Sequence, residues 1–187
     1  MKAFLLLAAM GATLPASAAE THYTIDPAHT YPSLEMSHMG ISVFRGKFNK
    51  TTGKITLDRT AKTGTVDVQV DPASLDFGNA EMLTNSQEKD WLDVAQFPTA
   101  TYKGKLTFTG DTPSGVDGTL KLRGVTKPLK LSIESFKCIQ HPMRKKEVCG
   151  ADARGEFNRA DFGLTKGAEG QSGVMRLLIQ VEANKDD

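Results

Sequence analysis

Residues 65–71 read T-V-D-V-Q-V-D, a strict alternation of valine with polar side chains. A period of two places one set of side chains on an apolar interior and the other set in water, as in a half-buried β-strand. The same alternation returns in L-K-L-R at residues 120–123, in L-K-L-S-I-E-S at residues 129–135 and across residues 177–182. Strands of this kind, separated by Gly, Pro, Asn and Asp turns, predict an all-β chain folded as an antiparallel sandwich or barrel.

Residues 79–92 lack the period of two. Asn79 is a residue type that caps helix N-termini, and Glu81 suits a first helical turn. We therefore predict a short helical insertion near residues 79–92 that ends before Pro98. Such an insertion in an all-β chain is a candidate lid over one opening of a barrel. Its apolar side chains would face the barrel; they are Met82, Leu83, Trp91, Leu92 and Phe97.

The first 19 residues have the layout of a secretory signal peptide, which is removed from the mature protein. Lys2 precedes an apolar stretch at residues 4–14, which is too short to span a bilayer, and a run of small residues follows it. Cleavage after Ala18 and cleavage after Ala19 fit equally well. Removing 19 of the 187 residues leaves 168, which is one domain, residues 20–187, with room for a sizeable core.

The charge balance gives no reason to propose nucleic acid or an anionic membrane surface as a partner. The whole chain has 23 basic and 22 acidic residues, and removal of Lys2 with the leader leaves 22 of each. After the leader, no segment approaches 18 consecutive apolar residues. The sequence therefore predicts no transmembrane segment.

Cys138 and Cys149 are the two cysteines of the chain. An even pair in an exported chain favours a disulfide, here at the base of a hairpin whose loop carries Pro142. A metal or redox pair is the alternative. The spacing is not C-x-x-C, and His141 is the one further ligand type nearby, so the disulfide is the preferred interpretation.

No sequence motif for catalysis or metal binding stands out. The four histidines have no metal-type spacing, there is no G-x-S-x-G elbow, and the cysteines are expected to be oxidised. We therefore predict a protein that is not an enzyme, with no metal site. The eight phenylalanines after the leader and Trp91 are spread over many strands. Periodicity leaves open whether they fill a solid core or line a cavity, as closed barrels of about eight strands can.

Eight short blocks occur along the chain in a recognisable order. They are Y-T-I-D-P-A-H-T at 23–30, S-H-M-G-I-S at 37–42, R-G-K-F at 45–48, S-L-D-F-G at 74–78, D-W-L-D-V at 90–94, F-P-T-A-T-Y at 97–102, R-G-V-T-K-P at 123–128 and N-R-A-D-F-G at 158–163. In this order and together, they resemble the YceI-like family of exported proteins over roughly residues 20–187. The block around the two cysteines, residues 135–153, looks like one subgroup of that family. The chain departs from the family at Asn85-Ser86, where His-Leu is usual, and this change puts the shape of the pocket mouth in question.

The resemblance implies a lipocalin-like antiparallel β-barrel of about eight strands that encloses a long apolar pocket. It also implies binding of a polyisoprenoid chain, such as a prenylated quinone or a related lipid, in the periplasm. It brings no catalytic residue and no cofactor apart from the bound lipid. The hypothesis is thus a periplasmic carrier that holds one lipid inside its barrel. Alternation and position select the candidate lining residues, which are Met36, Phe44, Val68, Leu83, Trp91, Phe97 and Phe136.

Two other functions compete with the carrier. The first is a stress-linked interaction or chaperone-like protein whose barrel is packed solid and holds no lipid. The second is an enzyme acting on a lipid or quinone, which would need His29, His38 and Asp161 together at a pocket mouth, although neither spacing nor motif supports that. A homodimer is compatible with each function, and the sequence does not decide between one copy and two.

Overall fold

A computed structural model describes residues 20–187, so the predicted signal peptide lies outside the described residues. The strands are β1 (Thr21–Ile25), β2 (Tyr31–His38), β3 (Ser42–Phe48), β4 (Thr51–Asp58), β5 (Thr63–Val70), β6 (Leu75–Asp76), β7 (Ala100–Thr109), β8 (Thr112–Leu122), β9 (Val125–Gln140), β10 (Glu147–Asn158) and β11 (Val174–Lys185). The helix is α1 (Ala80–Gln87), and short 3₁₀ turns cover Pro72–Ser74, Arg159–Phe162 and Gly170–Gly173. Across residues 20–187, no helix has the length and apolar content needed to cross a membrane.

Eight of the strands close into an antiparallel ring in the order β1-β4-β5-β7-β8-β9-β10-β11, and β1 pairs with β11 to complete it. The predicted all-β barrel of about eight strands with a short helix is confirmed. One side of β11 is shared between two partners. Its first part, from Met175 to Gln180, pairs with β2, and its last part, from Ala183 to Lys185, pairs with β1. β2 therefore leads out of the ring into an extension made of β2, β3 and β6.

The two-residue alternation directs side chains into the barrel as predicted. On β5, Val66, Val68 and Val70 face the interior, whereas Thr65 and Gln69 are exposed. The inward residues of two further strands are Leu129, Leu131 and Ile133 on β9 and Leu177, Ile179 and Val181 on β11. The alternation holds because successive side chains of a strand point to opposite faces, whatever the partners of that strand are.

Helix α1 and the turns after it cover one end of the barrel. The side chain of Asn79 accepts a hydrogen bond from the Met82 N–H at 3.0 Å, so the predicted N-cap is confirmed. The helix ends at Gln87, five residues before the predicted limit, because the backbone of Glu88 is extended. The chain then turns and buries Leu92 in the apolar core, so tertiary packing overrides local helix propensity here.

The two ends of the barrel carry different features. At the end nearest α1, Thr51 pairs with Val70 and Val70 pairs with Ala100, and we call this the helical end. At the other end, Cys138 and Cys149 face each other across β9 and β10 and form a disulfide. We call this the disulfide end. The predicted disulfide is confirmed, and it lies close to the base of the hairpin loop, as expected.

Candidate ligand cavity

The barrel is not packed solid: it encloses a cavity of about 210 Å³. On β8 alone, the lining residues run from Pro113 near the disulfide end to Leu122 at the helical end. Nine steps along a strand correspond to about 30 Å of chain. The cavity is therefore long and narrow. Most of its wall is formed by branched aliphatic and aromatic side chains, and no charged side chain among the described residues lines it.

Four polar side chains line the cavity, and three of them are hydrogen-bonded. Tyr23 donates to Glu147 at 2.5 Å. Thr30 donates its hydroxyl proton to the carbonyl of Glu182 and accepts from the N–H of the same residue, both at 3.1 Å. Tyr102 reaches across β8 and donates to the Leu129 carbonyl at 2.9 Å. The hydroxyl of the fourth, Thr51, has no hydrogen-bond partner within the described residues.

Tyr102 occupies space that a neighbouring glycine leaves free. A Cβ at Gly118 would lie 2.5 Å from the Tyr102 ring and hydroxyl, so no larger residue fits at this position without a shift. Burial, and to a lesser degree the charge of Asp117, raise the pKa of Tyr102 far above its ordinary value. The phenol therefore remains a neutral hydrogen-bond donor at physiological pH, and it braces β7 against β8 and β9.

Leu92 and Leu164 close the helical end, because both are buried and both line the cavity. They come from the turns after α1 and from the segment after β10. Trp91 lies beside them, with its ring 4.8 Å from the guanidinium carbon of Arg159. This contact joins the two segments over the end of the barrel.

Arg159 holds the segment at residues 159–173 in place, and this charged residue is almost completely buried, with 2% of its surface exposed. Its guanidinium donates to four carbonyl oxygens at 2.7–3.0 Å, those of Ser172, Leu164, Lys166 and Gly167. Burial lowers the pKa of Arg159 below its ordinary value, although guanidinium groups stay protonated in proteins. The charge is thus satisfied by backbone carbonyls that would otherwise lack donors.

At the disulfide end, Tyr23 reaches from the cavity wall to a charged pair. Glu147 accepts from Tyr23 and forms an ion pair with Arg59 at 3.2 Å. Burial and the hydrogen bond to Glu147 raise the pKa of Tyr23 to about 12. Burial acts against ionisation of Glu147, but the hydrogen bond from Tyr23 and the charge of Arg59 outweigh it and lower the pKa of Glu147. The phenol is therefore neutral and the carboxylate charged at neutral pH, outside the apolar wall.

Two of the seven candidate lining residues lie on the cavity wall. Val68 lines it from β5 and Phe136 lines it from β9 near the disulfide end. At Val68 the two-residue alternation gives the inward face directly. Phe136 is out of phase with the inward residues Leu129, Leu131 and Ile133 of its own strand, and it faces the cavity because the pairing of β9 with β10 shifts register between Ile133 and Ser135. The ligand contact predicted for them stays a prediction, whereas their position on the wall is a property of the structure.

The other five candidates lie at the helical end, outside the wall. Met36, Phe44 and Trp91 belong to the apolar cluster packed there. Leu83 is half-buried on α1, and Phe97 packs against Gly124 in the β8–β9 turn. β2 and β3 contribute Pro32, Leu34 and Phe48 to the wall, whereas Met36 and Phe44, which pair with each other across these two strands, do not line it. From the turns after α1, Leu92 rather than Trp91 reaches the cavity.

Sequence reasoning did not select Thr51, Tyr23 or Leu164. Thr51 was detectable in principle, because Thr51, Ile55 and Leu57 share one face of β4 at even spacing and all line the cavity. Leu164 lies in a glycine-rich segment without periodicity, where no local signal gives the direction of a side chain.

The sequence that forms the barrel matches a known family. A family model described as the YceI-like domain matches residues 23–184. The chain belongs to the YceI-like family. The resemblance inferred from the sequence blocks is therefore confirmed. A UPF0312 protein of Shewanella denitrificans is 31% identical over 193 residues, which cover 99% of this chain and 100% of that relative.

Solved structures of YceI-like proteins share the fold of this chain. The YceI protein of Campylobacter jejuni superimposes with a TM-score of 0.68 at 26% identity, covering 81% of this chain and 91% of that one. A polyisoprenoid-binding domain of Saccharophagus degradans, implicated in plant cell wall breakdown, gives a TM-score of 0.63 at 14% identity, covering 88% and 98%. At this low identity, the second likeness concerns the fold alone.

Proposed function

We propose that this protein is a periplasmic carrier that binds one long isoprenoid chain, or a related lipid, inside its barrel. The observation that carries the proposal is the cavity itself. It is apolar and narrow, and it runs along the barrel from Pro113 to Leu122. An elongated hydrocarbon fits this shape, whereas a compact polar metabolite would lose its hydrogen bonds to water without replacing them.

Burial of the lipid chain supplies the driving force. A chain that loses about 400 Å² of apolar surface gains about 10 kcal/mol at 25 cal/mol per Å², before the costs of association. Only part of this remains as net affinity. A carrier benefits from that balance, because cargo must be held firmly enough to cross water and weakly enough to be released.

The family and the compartment support the same proposal. A polyisoprenoid-binding domain shares this fold, and it motivates the choice of an isoprenoid over other apolar chains. The disulfide between Cys138 and Cys149 fits an oxidising compartment such as the periplasm. The signal-peptide pattern of the first 19 residues points to the same destination.

Binding rather than catalysis is proposed because the three polar candidates for an active site make no contact with one another and have different surroundings. His29 contacts Asp26 at 3.1 Å, and the ring of His38 stacks on Phe44 at 4.2 Å. Asp161 is exposed in a 3₁₀ turn. Within residues 20–187, no group of three His, Cys, Asp or Glu side chains is placed to hold a metal ion.

Native mass spectrometry of the protein purified from its own periplasm, followed by organic extraction, tests the proposal. A stoichiometric prenyl or acyl chain is expected, and extraction identifies it. The opposite result is a protein that carries no added mass and gains none after incubation with prenylated quinones. That result would favour the interaction or chaperone-like barrel without bound lipid.

A further inference from the structure

Thr51 stands in a row of cavity-lining residues at the helical end. It begins β4 and pairs with Val70 on β5, which pairs with Ala100 on β7. Leu122, at the end of β8, lines the same part of the cavity, and Leu92 closes over it. Thr51 is therefore the polar member of an otherwise apolar rim.

The hydroxyl of Thr51 is unpaired. The residue is 1% exposed, and its Oγ1 has no hydrogen-bond partner within residues 20–187. The other three polar side chains of the cavity wall, Tyr23, Thr30 and Tyr102, all have partners. An unmatched buried hydroxyl destabilises a fold, and valine would fill the same volume without that cost. The unpaired hydroxyl beside the cavity therefore points to a partner that arrives with the ligand.

We propose that the Thr51 hydroxyl donates a hydrogen bond to an uncharged oxygen, a carbonyl or hydroxyl, on the head of the bound lipid. This inference rests on the proposed carrier function and extends it. The head lies at the helical end beneath Leu92, and the apolar tail runs toward Pro113 and Phe136 near the disulfide end. Thr51 thereby fixes which way the lipid enters the barrel.

The surroundings of Thr51 select a neutral head over a phosphate or carboxylate. Its neighbours on the rim, Val70, Ala100 and Leu122, offer no charge. Two arginines, Arg159 and Arg123, lie at this end, and neither lines the cavity. The guanidinium of Arg159 donates to four backbone carbonyls. That of Arg123 donates to the carbonyls of Gly163 and Lys89, and its buried Nε has no partner within residues 20–187. An anionic head at Thr51 would be buried without a counter-ion, which is strongly unfavourable. Quinones and long-chain alcohols have the required chemistry.

Paired substitutions and paired ligands test the role of Thr51. Thr51→Val keeps the shape and removes the hydroxyl, and Thr51→Ser keeps the hydroxyl. Binding of a prenylated quinone is compared with binding of squalene, an isoprenoid hydrocarbon without a polar head. We expect Thr51→Val to weaken quinone binding about fivefold, the ratio for one hydrogen bond of about 1 kcal/mol, and to leave squalene binding unchanged. Thr51→Ser should keep the preference for the quinone.

Three results would overturn the inference. Thr51→Val could bind the quinone as tightly as the original protein does, or it could weaken quinone and squalene equally, which would indicate a packing role. A prenyl phosphate of the same chain length could bind more tightly than the quinone, which would exclude a neutral head site. Failure of the original protein to bind either the quinone or squalene would instead reject the carrier function itself. Because Thr51→Val removes no hydrogen bond within the described residues, its unfolding free energy should not fall.

Discussion

Val68 and Gln69 are neighbours on β5 whose side chains lie on opposite sides of the barrel wall. Val68 lines the cavity and Gln69 is exposed to solvent. The same bulky residue placed at each position therefore separates an effect on the cavity from an effect on the strand.

We expect Val68→Phe to weaken lipid binding about fifteenfold, because an added ring that displaces two methylenes of the lipid removes about 1.6 kcal/mol of burial. Gln69→Phe should leave binding unchanged. Titration with a fluorescent prenyl or fatty-acyl probe measures both. Equal losses in the two variants would mean that the cavity is not where the lipid binds.

Arg159 stabilises the fold rather than the cavity wall, because its side chain donates hydrogen bonds to four carbonyls of the segment that closes the helical end. Arg159→Met keeps a long apolar stem and removes every donor. We expect it to lower the free energy of unfolding by about 3 kcal/mol or more, since hydrogen bonds to charged groups contribute about 1.5–3 kcal/mol each and the carbonyls stay buried. Urea unfolding measures the loss.

The matched control for Arg159→Met is Arg176→Met. Arg176 is exposed on β11 and pairs with Glu156 at 3.4 Å on the outside of the barrel. Such surface pairs contribute about 0–1 kcal/mol. A loss at Arg176 as large as that at Arg159 would contradict the role assigned to the buried guanidinium.

At the scale of elements, the β9–β10 hairpin is tied by the disulfide between Cys138 and Cys149, which are 11 residues apart in sequence. The chain-entropy model gives about 3 kcal/mol for a loop of this size. We expect the double variant Cys138→Ser, Cys149→Ser to unfold at a lower temperature than the oxidised protein. Differential scanning calorimetry with and without reductant measures this.

Reduction supplies the control for the disulfide. The reduced original protein should melt close to the double serine variant, and reductant should not change the melting of that variant. If reductant lowered the melting temperature of the serine variant as well, the effect would not come from this bond.

The elements also differ in how far the sequence predicted them. Strands of the closed ring were predictable with their inward faces, as at Val68, because the direction of a side chain follows from the local period. The period alone does not give the inward direction of Phe136, because a shift of register in β9 separates it from Ile133. Trp91 and Phe97 were not placed correctly by the same reasoning. Their positions depend on turns after Gln87 and on packing against Arg159 and Gly124, residues distant in sequence. The unpaired state of Thr51 is a property of its surroundings, and no local pattern contains it.

At the scale of the whole molecule, Asp26 connects three parts of the barrel. It follows β1, its backbone N–H donates to the Glu182 carbonyl on β11 at 2.9 Å, and its carboxylate contacts Arg144 of the β9–β10 loop at 3.2 Å. Burial opposes ionisation of Asp26, but hydrogen bonds from His29, the Ala28 N–H and Arg144 outweigh it. They lower the pKa of Asp26 from 3.8 to about 2.

This depressed pKa predicts a loss of stability in acid. Because the folded state holds the carboxylate deprotonated more strongly than the unfolded state does, its contribution is fully present above about pH 4 and is lost as the pH falls toward 2. We expect a loss of about 1–2 kcal/mol in this window. Asp26→Asn should flatten the pH dependence of urea unfolding there. A slope unchanged by Asp26→Asn would contradict the assignment.

The seam between β1 and β11 has a consequence for the connectivity of the chain. Tyr23 pairs with Lys185, and the Asp186 N–H donates to the His22 carbonyl at 2.9 Å, so the first and last described residues run side by side. Circular permutation should therefore preserve the barrel. In the permuted protein, a short glycine-rich linker would join Asp187 to Glu20, and the new termini would lie at the exposed Gly110–Asp111 turn. The permuted protein should carry the same lipid as the original on native mass spectrometry, and loss of the lipid would contradict this prediction. The ring of strands has no structural beginning, and the cavity inside it does not depend on where the polypeptide starts.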